Sequence, residues 1–380
     1  MTKVAIYHNI LWSSYKGVVF SYLFKKSNKI LELSFIQIAE TEKSRIALSK
    51  VDYTVHDYQY DLLFKGNYED VSSFDITARL IRDIFERKPD IVVLPGYNKV
   101  EYWAMLMLCT LLGITRGVFC DSTSFDRPAK IYKKILKSFF FGKCNFFFAY
   151  GERSVNYLKN HGVNPGLIFT RCQAASLPLD YSVQEVRVSR IRCARAAPKA
   201  QYLYVGRLSP EKGLVCLLKS FSEILKTYPD SKLRIVGHGP LGDYLRNLTR
   251  ELCIETRVAF IGALTGKQLY HEYSEATCLI LPSISEPWGL VVNESLSYGC
   301  PVVVSDACGC VPELVIDGIS GYVFKTNDVA HLTDRVLLLT KEFMNLELIT
   351  DNCLDAVSKF TPSNSADQIY CGLMKFQSLE

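Results

Sequence analysis

No apolar run in this sequence reaches the roughly 20 residues that a membrane-crossing helix needs. The longest, "YWAMLMLCTLLGI" at 102–114, is too short and reads as a buried helix. The 13 cysteines show no paired framework of the kind that staples small secreted domains. The start, "MTKVAIYHNILW", runs straight into a strand and lacks the apolar core of a secretory signal. These absences leave no integral membrane segment and predict a reducing, cytoplasmic setting. The triplet D-x-D is also absent, which excludes a metal–diphosphate clamp of that type, and 238–255 offers no H-x-x-x-H or C-x-x-C ligand set. Cys308 and Cys310 form a lone C-x-C, expected to pack in a loop; no metal is expected.

What is present describes an ordinary globular chain. At 380 residues, 48% hydrophobic and 22% charged, it can build two domains with full cores. The net charge of +5 is unevenly placed. Residues 1–180 carry 24 Lys and Arg against 17 Asp and Glu, whereas the remainder is slightly acidic. The first half should therefore face something anionic.

Short β-rich runs alternate with helical stretches throughout. They fall at 3–9, 90–96, 116–122 and 146–151, and again at 201–207, 232–239, 257–263, 277–283 and 300–306. This alternation predicts α/β architecture with two doubly wound, Rossmann-like domains and a cleft between them. Residues 176–200 are polar, show no clear period and read as a linker. The expected domains are 1–180 and 181–362, with a C-terminal helix at about 363–380 packing back on the first.

Ligands in such sheets bind where strands end and helices begin. "KLRIVGHGPLGDYL" (232–245) fits G-x-G-x-x-G through Gly237, Gly239 and Gly242. A nicotinamide site also needs an acidic residue at the end of the next strand. That strand, "RVAFIGAL", ends in Gly262 and Ala263, so a dehydrogenase is disfavoured. In "VGRLSPEKGL" (205–214), Arg207 follows a strand and Lys212 opens a helix. Two cations there suit a phosphate or diphosphate; a solvated loop fits the residues equally. In "SEPWGLVVNESLSYGCPVVVSD" (285–306), Glu286 and Glu294 stand eight apart, so both can share one helix face and accept from sugar or ribose hydroxyls. Taken alone, the two also fit a helix-start charge and a surface residue.

In order, G-R-x-x-x-x-K-G, G-x-G-P-L, E-P-x-G-L-x-x-x-E and G-x-P-V-V resemble the nucleotide-binding domain of the family 4 retaining glycosyltransferases, which have the GT-B fold. The resemblance covers about 200–330 and points to the bacterial surface-polysaccharide or lipopolysaccharide type. It implies that Glu286 contacts hydroxyls of the donor sugar and Glu294 holds the ribose. Arg207 and Lys212 would bind the donor diphosphate, with the backbone around Gly289, Leu290 and Val291. It also makes the 237–241 turn, including Gly237, part of the donor domain. No metal and no further cofactor is implied beyond a nucleotide-sugar donor, with a UDP-sugar as candidate. Transfer would run with retention, the acceptor hydroxyl entering on the face the phosphate leaves.

The first half is less recognisable. A glycine-containing loop near the diphosphate is implied after the first strand, here 8–19 with Lys16 and Gly17 as candidates. Asp121 is the candidate to hold the acceptor hydroxyl, and equally fits a helix or turn cap. "RPAKIYKKILKSFFFGK" (127–143) places Lys130, Lys133, Lys134 and Lys137 on one helical face, with Ile131, Ile135 and Phe139 elsewhere on the wheel. Such a helix suits an anionic membrane surface, or an ordinary helix with its apolar side in the core. No groove-reading module accompanies it, so nucleic acid is not expected. The expected protein is thus a peripheral sugar transferase on the inner face of the cytoplasmic membrane, acting on a lipid-linked or glycan acceptor. Its rivals are a nucleotide-sugar epimerase of the same fold and a non-catalytic nucleotide-sugar-binding protein.

Overall fold

A computed structural model describes residues 1–27, 30–45, 50–124, 131–178, 180–196, 200–342 and 345–377. The chain divides into two compact units. Met1–Ile46, Lys50–Ser176 and Phe360–Glu380 form the first, and Leu177–Lys359 the second.

The first unit is built on a seven-stranded sheet. Its strands are β1 (Thr2–Ile10), β2 (Leu31–Thr41), β3 (Tyr60–Asn67), β4 (Ile91–Leu94), β5 (Thr115–Cys120), β6 (Phe146–Ala149) and β7 (Ile168–Phe169), in the order β3-β2-β1-β4-β5-β6-β7. The second has six: β8 (Gln201–Val205), β9 (Lys232–Val236), β10 (Val258–Gly262), β11 (Cys278–Leu281), β12 (Val302–Ser305) and β13 (Gly321–Phe324), in the order β10-β9-β8-β11-β12-β13. Every pairing is parallel. Parallel strands need crossover helices, which cover both faces and demand continuously apolar strands. Thus "IVVL", "FFFA" and "CLIL" are buried at every position of β4, β6 and β11.

Alternation sorts the first unit's strand residues into two cores. Ala5 and Tyr7 of β1 join Ile36, Val92, Leu94 and Phe141 on one face. Val4 and Ile6 join Phe20, Val93, Phe146 and Phe148 on the other. The helix Pro362–Lys375 packs on this second face through Ile369 and Leu373, so the C-terminal helix completes the first unit's core.

Four strands escape the sequence reading: β2, β3, β7 and β13. Three of them, β3, β7 and β13, are sheet edges; β3 and β7 are only partly buried, which weakens the apolar signal, and β13 is a buried strand of only four residues. Two local expectations are corrected. The stretch read as a linker contains the helix Val183–Ala196, part of the second unit. Its Arg190 is fully buried and donates to the backbone carbonyls of Tyr273, Ser274 and Gly299. Arg187 and Arg195 pair with Asp351 and Glu347. Tertiary contacts made by arginines hold this helix, which is why no apolar period announces it. The stretch read as a buried helix, Val100–Leu111, buries only one face through Tyr102, Met105, Leu106 and Cys109, leaving Val100, Met107 and Leu111 exposed.

In each sheet the chain reverses direction of travel once, between β1 and β4 and between β8 and β11. Loops leaving the strand ends at such a switch point part to opposite faces and open a crevice. In the second unit those loops are 206–213 and 282–289.

Candidate functional site

Both loops carry the residues that the sequence singles out. Arg207 and Lys212 lie on the first, Glu286 and Gly289 on the second. Lys212 Nζ and Glu286 Oε2 form an ion pair, with side chains only 13% and 14% exposed. The pair therefore joins the two loops across the switch point, in surroundings where charge interacts more strongly than in water. Arg207 is more open and is tethered by Glu211 at 3.1 Å. Glu211 in turn accepts from Ser209 Oγ at 2.7 Å, and its carbonyl accepts the amide of Ile284 at 2.8 Å. Glu211, which the sequence reading passed over, thus fixes both Arg207 and the neighbouring loop.

Gly289 takes a left-handed conformation, φ +98°, and starts the helix Leu290–Ser297. A side chain there would be strained whatever the space. The first helical bond runs from Val292 N to the Gly289 carbonyl at 2.9 Å. The amides of Leu290 and Val291 thus begin the helix without an intrahelical acceptor, which suits an anion. Glu294 follows Leu290 by four residues, on the same face. Glu294 is half-buried. Its Oε2 accepts from Tyr273 Oη at 2.7 Å. Burial pushes its carboxyl up to about 7, against the lowering effect of that hydrogen bond. A pKa raised on folding means the native state holds this proton more tightly, so its effect on stability is most favourable below about pH 4.5 and is lost as pH rises towards 7.

The glycine turn after β9 has a packing role. A Cβ on Gly237 would sit 1.9 Å from the Gly206 carbonyl oxygen. The two turns touch backbone to backbone, sealed by Leu208 N to His238 O at 2.9 Å and Leu241 N to Leu208 O at 2.9 Å. Gly237 thereby braces the loop that carries Arg207. The C-x-C loop lies beneath Glu286: Gly309 N donates to the Glu286 carbonyl at 2.9 Å, and both thiols are buried. Among the described residues, no three His, Cys, Asp or Glu side chains form a group that could hold a metal ion.

The remaining candidates belong to the first unit. Strand β1 ends at Ile10 and a helix begins at Ser14, so Lys16 and Gly17 lie in the helix rather than in a long loop. Gly17 is packed against His56, whose ring would meet a Cβ at 2.8 Å. Lys16 is buried, donates to the Cys172 carbonyl at 3.3 Å and sits over the rings of Phe119 and Tyr150. Burial lowers its ammonium to about 8. Asp121 is exposed, directly after β5.

The basic helix spans Ile131–Gly142; Lys130 lies outside the described residues. Its last turn enters the core through Phe140 and Phe141, but the rest of its apolar side does not. Ile131, Tyr132, Ile135, Leu136 and Phe139 are all exposed, Ile131 by 78% and Ile135 by 64%. Lys133 and Lys134 are exposed beside them. Lys137 departs from the group: it is half-buried and donates to Tyr157 Oη at 2.7 Å. No helix of the described residues is long and apolar enough to cross a membrane.

Residues 190–347 match the family described as glycosyl transferases group 1. An uncharacterised glycosyltransferase of Methanocaldococcus jannaschii is 34% identical over 170 residues, 44% of this chain and 42% of that relative. The chain spans less than half the length of the curated relatives it matches first. Among solved structures, a lipopolysaccharide outer core galactosyltransferase aligns over 99% of both chains, with TM-score 0.71 and 18% identity. Anabaena HepE in complex with UDP and glucose aligns over 99% of this chain and 100% of its own, with TM-score 0.73 and 15% identity. The fold class is thus GT-B, two doubly wound sheets, and the match to the glycosyl transferases group 1 description lies on residues 190–347.

Proposed function

We propose that the protein is a retaining, metal-independent glycosyltransferase. It would move a sugar from a nucleotide-sugar donor, with a UDP-sugar as candidate, to a lipid-linked or glycan acceptor in surface polysaccharide or lipopolysaccharide synthesis. The observation that carries this reading is the Lys212–Glu286 pair bridging the two switch-point loops, with the Leu290 and Val291 amides and Glu294 on the adjoining helix. Cations and helix-start amides suit a diphosphate, and carboxylates suit hydroxyls.

In this reading the bond from sugar C1 to the phosphate oxygen breaks and a bond from the acceptor oxygen to C1 forms on the same face. The acceptor's proton passes to the leaving phosphate. Arg207, Lys212 and the Leu290 and Val291 amides stabilise the charge that develops on the leaving group. Glu286 accepts from the sugar hydroxyls, and Glu294 accepts from the ribose. Asp121 is assigned to the acceptor hydroxyl. The reaction is followed by NMR with a panel of nucleotide sugars and candidate acceptors, with and without chelator. The expected product keeps the donor's anomeric configuration and forms equally fast with chelator. An inverted product, or strict dependence on Mg²⁺ or Mn²⁺, contradicts the mechanism. An epimerised sugar formed without acceptor contradicts the transferase itself.

The helix Ile131–Gly142 is assigned to the anionic inner face of the cytoplasmic membrane. Five exposed apolar side chains beside two exposed lysines form an interfacial surface, where apolar residues enter the headgroup boundary and lysines meet anionic lipid. Each lysine near the surface contributes about 1 kcal/mol, screened by salt. Replacing the exposed Lys133 and Lys134 by Ser is expected to weaken binding to phosphatidylglycerol vesicles, most at low salt. Ile135→Ser with Phe139→Ser is expected to weaken binding even at low salt, where lysine attraction is strongest. Undiminished sedimentation of either variant with the vesicles would show that the helix serves only the fold.

A further inference from the structure

To hold a ribose, the three-torsion side chain of Glu294 must be kept aimed. Tyr273, on the helix Gly266–Glu275, is fully buried and donates to Glu294 Oε2 at 2.7 Å. It is itself immobilised. Its ring lies nearly parallel to that of Tyr298, 6.0 Å away at 6°. Tyr298 stacks on Tyr270 at 4.6 Å and meets the edge of Tyr181. At the backbone, the Tyr273 carbonyl is held by Arg190 Nη1 at 3.2 Å. We propose that Tyr273 is a positioning residue: its hydroxyl fixes one oxygen of Glu294 so that the other faces the ligand, and this tether sets the preference for a nucleotide carrying both ribose hydroxyls.

The proposal rests on Glu294 being the ribose carboxylate. Its physical basis is simple. A carboxylate held at one oxygen offers the second in a fixed direction, so less side-chain freedom is lost when hydroxyls bind. The donated hydrogen bond also favours the ionised form. Tyr273 and Tyr298 are the titratable groups that act on or feel Glu294. Strands β11 and β12, packed against its helix, carry no charged residue. On the other neighbouring helix, Leu346–Val357, Glu347 and Asp351 pair with Arg195 and Arg187.

The test uses calorimetric titration of the full chain. UDP, ADP and GDP are compared first, and the tightest is then set against its 2′,3′-dideoxy analogue at about pH 6, 7 and 8.5, bracketing the Glu294 titration at about 7. Wild type is expected to prefer the ribonucleotide about tenfold or more at the highest pH, the size of a hydrogen bond to a charged group. The preference should fall as pH drops and Glu294 takes its proton. Tyr273→Phe should lose most of the preference at neutral pH and recover part of it only at the highest, because its Glu294 titrates at higher pH. Glu294→Asp, which draws the carboxylate back from the tyrosine, should behave in the same sense. If Glu294→Gln abolishes the preference while Tyr273→Phe or Glu294→Asp keeps the wild-type ratio at every pH, the tether is overturned and the ribose reading stands. If wild type shows no preference, or Glu294→Gln retains it, the ribose reading fails and takes the tether with it.

Discussion

Lys212→Ala is expected to lower turnover about 10²–10³-fold, the loss seen when one preorganised charge stabiliser is removed from a reacting centre. Two consequences add. The leaving diphosphate loses a cation placed at its site, and Glu286 loses the ammonium that now compensates its charge in a little-exposed position. An uncompensated carboxylate there would also repel the donor diphosphate, so the Michaelis constant for the donor should rise as kcat falls. Arg207→Ala is expected to act in the same direction, and Glu211→Ala should follow it more weakly, since the Glu211 carboxylate acts by holding Arg207 and Ser209 in place. Steady-state kinetics with saturating acceptor gives the answer. A kcat/KM for Lys212→Ala within about threefold of wild type would place the cation outside the reacting centre, since about 0.65 kcal/mol is too little for such a role.

Arg190→Ala is expected to destabilise the second unit by at least about 3 kcal/mol. The guanidinium has three hydrogen bonds to buried carbonyls, and bonds from a charged donor contribute roughly 1.5–3 kcal/mol each. Its removal also leaves those carbonyls unsatisfied around a cavity. In a unit of this size a loss of about 3 kcal/mol corresponds to a fall of roughly 6–12 °C in the unfolding midpoint. Differential scanning calorimetry of the two proteins measures it. A shift under about 2 °C, worth less than 1 kcal/mol here, would show that the helix Val183–Ala196 is not anchored by Arg190. Because Arg190 also holds the backbone of Tyr273, the loss should reach the Glu294 site before global unfolding.

The sequence makes the central strands legible because parallel sheets demand uninterrupted apolar runs, as in "CLIL" and "IVVL". It hides edge strands such as β3, whose apolar residues are only partly buried and interspersed with polar ones. The helix at 183–196 is hidden for another reason: its burial is carried by an arginine, which every composition scale counts as a surface residue. At the site, the spacing of Glu286 and Glu294 is readable because both lie around one helix start. Glu211 and Tyr273 are not readable, since they act by holding other residues, and a tether leaves no motif. Gly237 was legible as a tight turn, while its purpose, close approach to the Gly206 carbonyl, depends on a loop 31 residues earlier in the chain. The basic stripe at 130–137 is visible, but its split is not: Lys137 turns to Tyr157 while Ile131, Ile135 and Phe139 face outward.

The most direct test of the account is calorimetric titration of nucleoside diphosphates and nucleotide sugars into wild type, Glu286→Ala and Glu294→Ala. The account predicts that one nucleotide sugar binds wild type, stabilising it by about 2.7 kcal/mol at a hundredfold excess over Kd. Glu294→Ala should weaken the free nucleotide and the nucleotide sugar alike, because its partner is common to both. Glu286→Ala should leave the free nucleotide unchanged and weaken only the nucleotide sugar. Equal affinities across all three proteins, or no binding to wild type by any nucleotide or nucleotide sugar, would contradict the assignment of the second unit's switch point as the donor site.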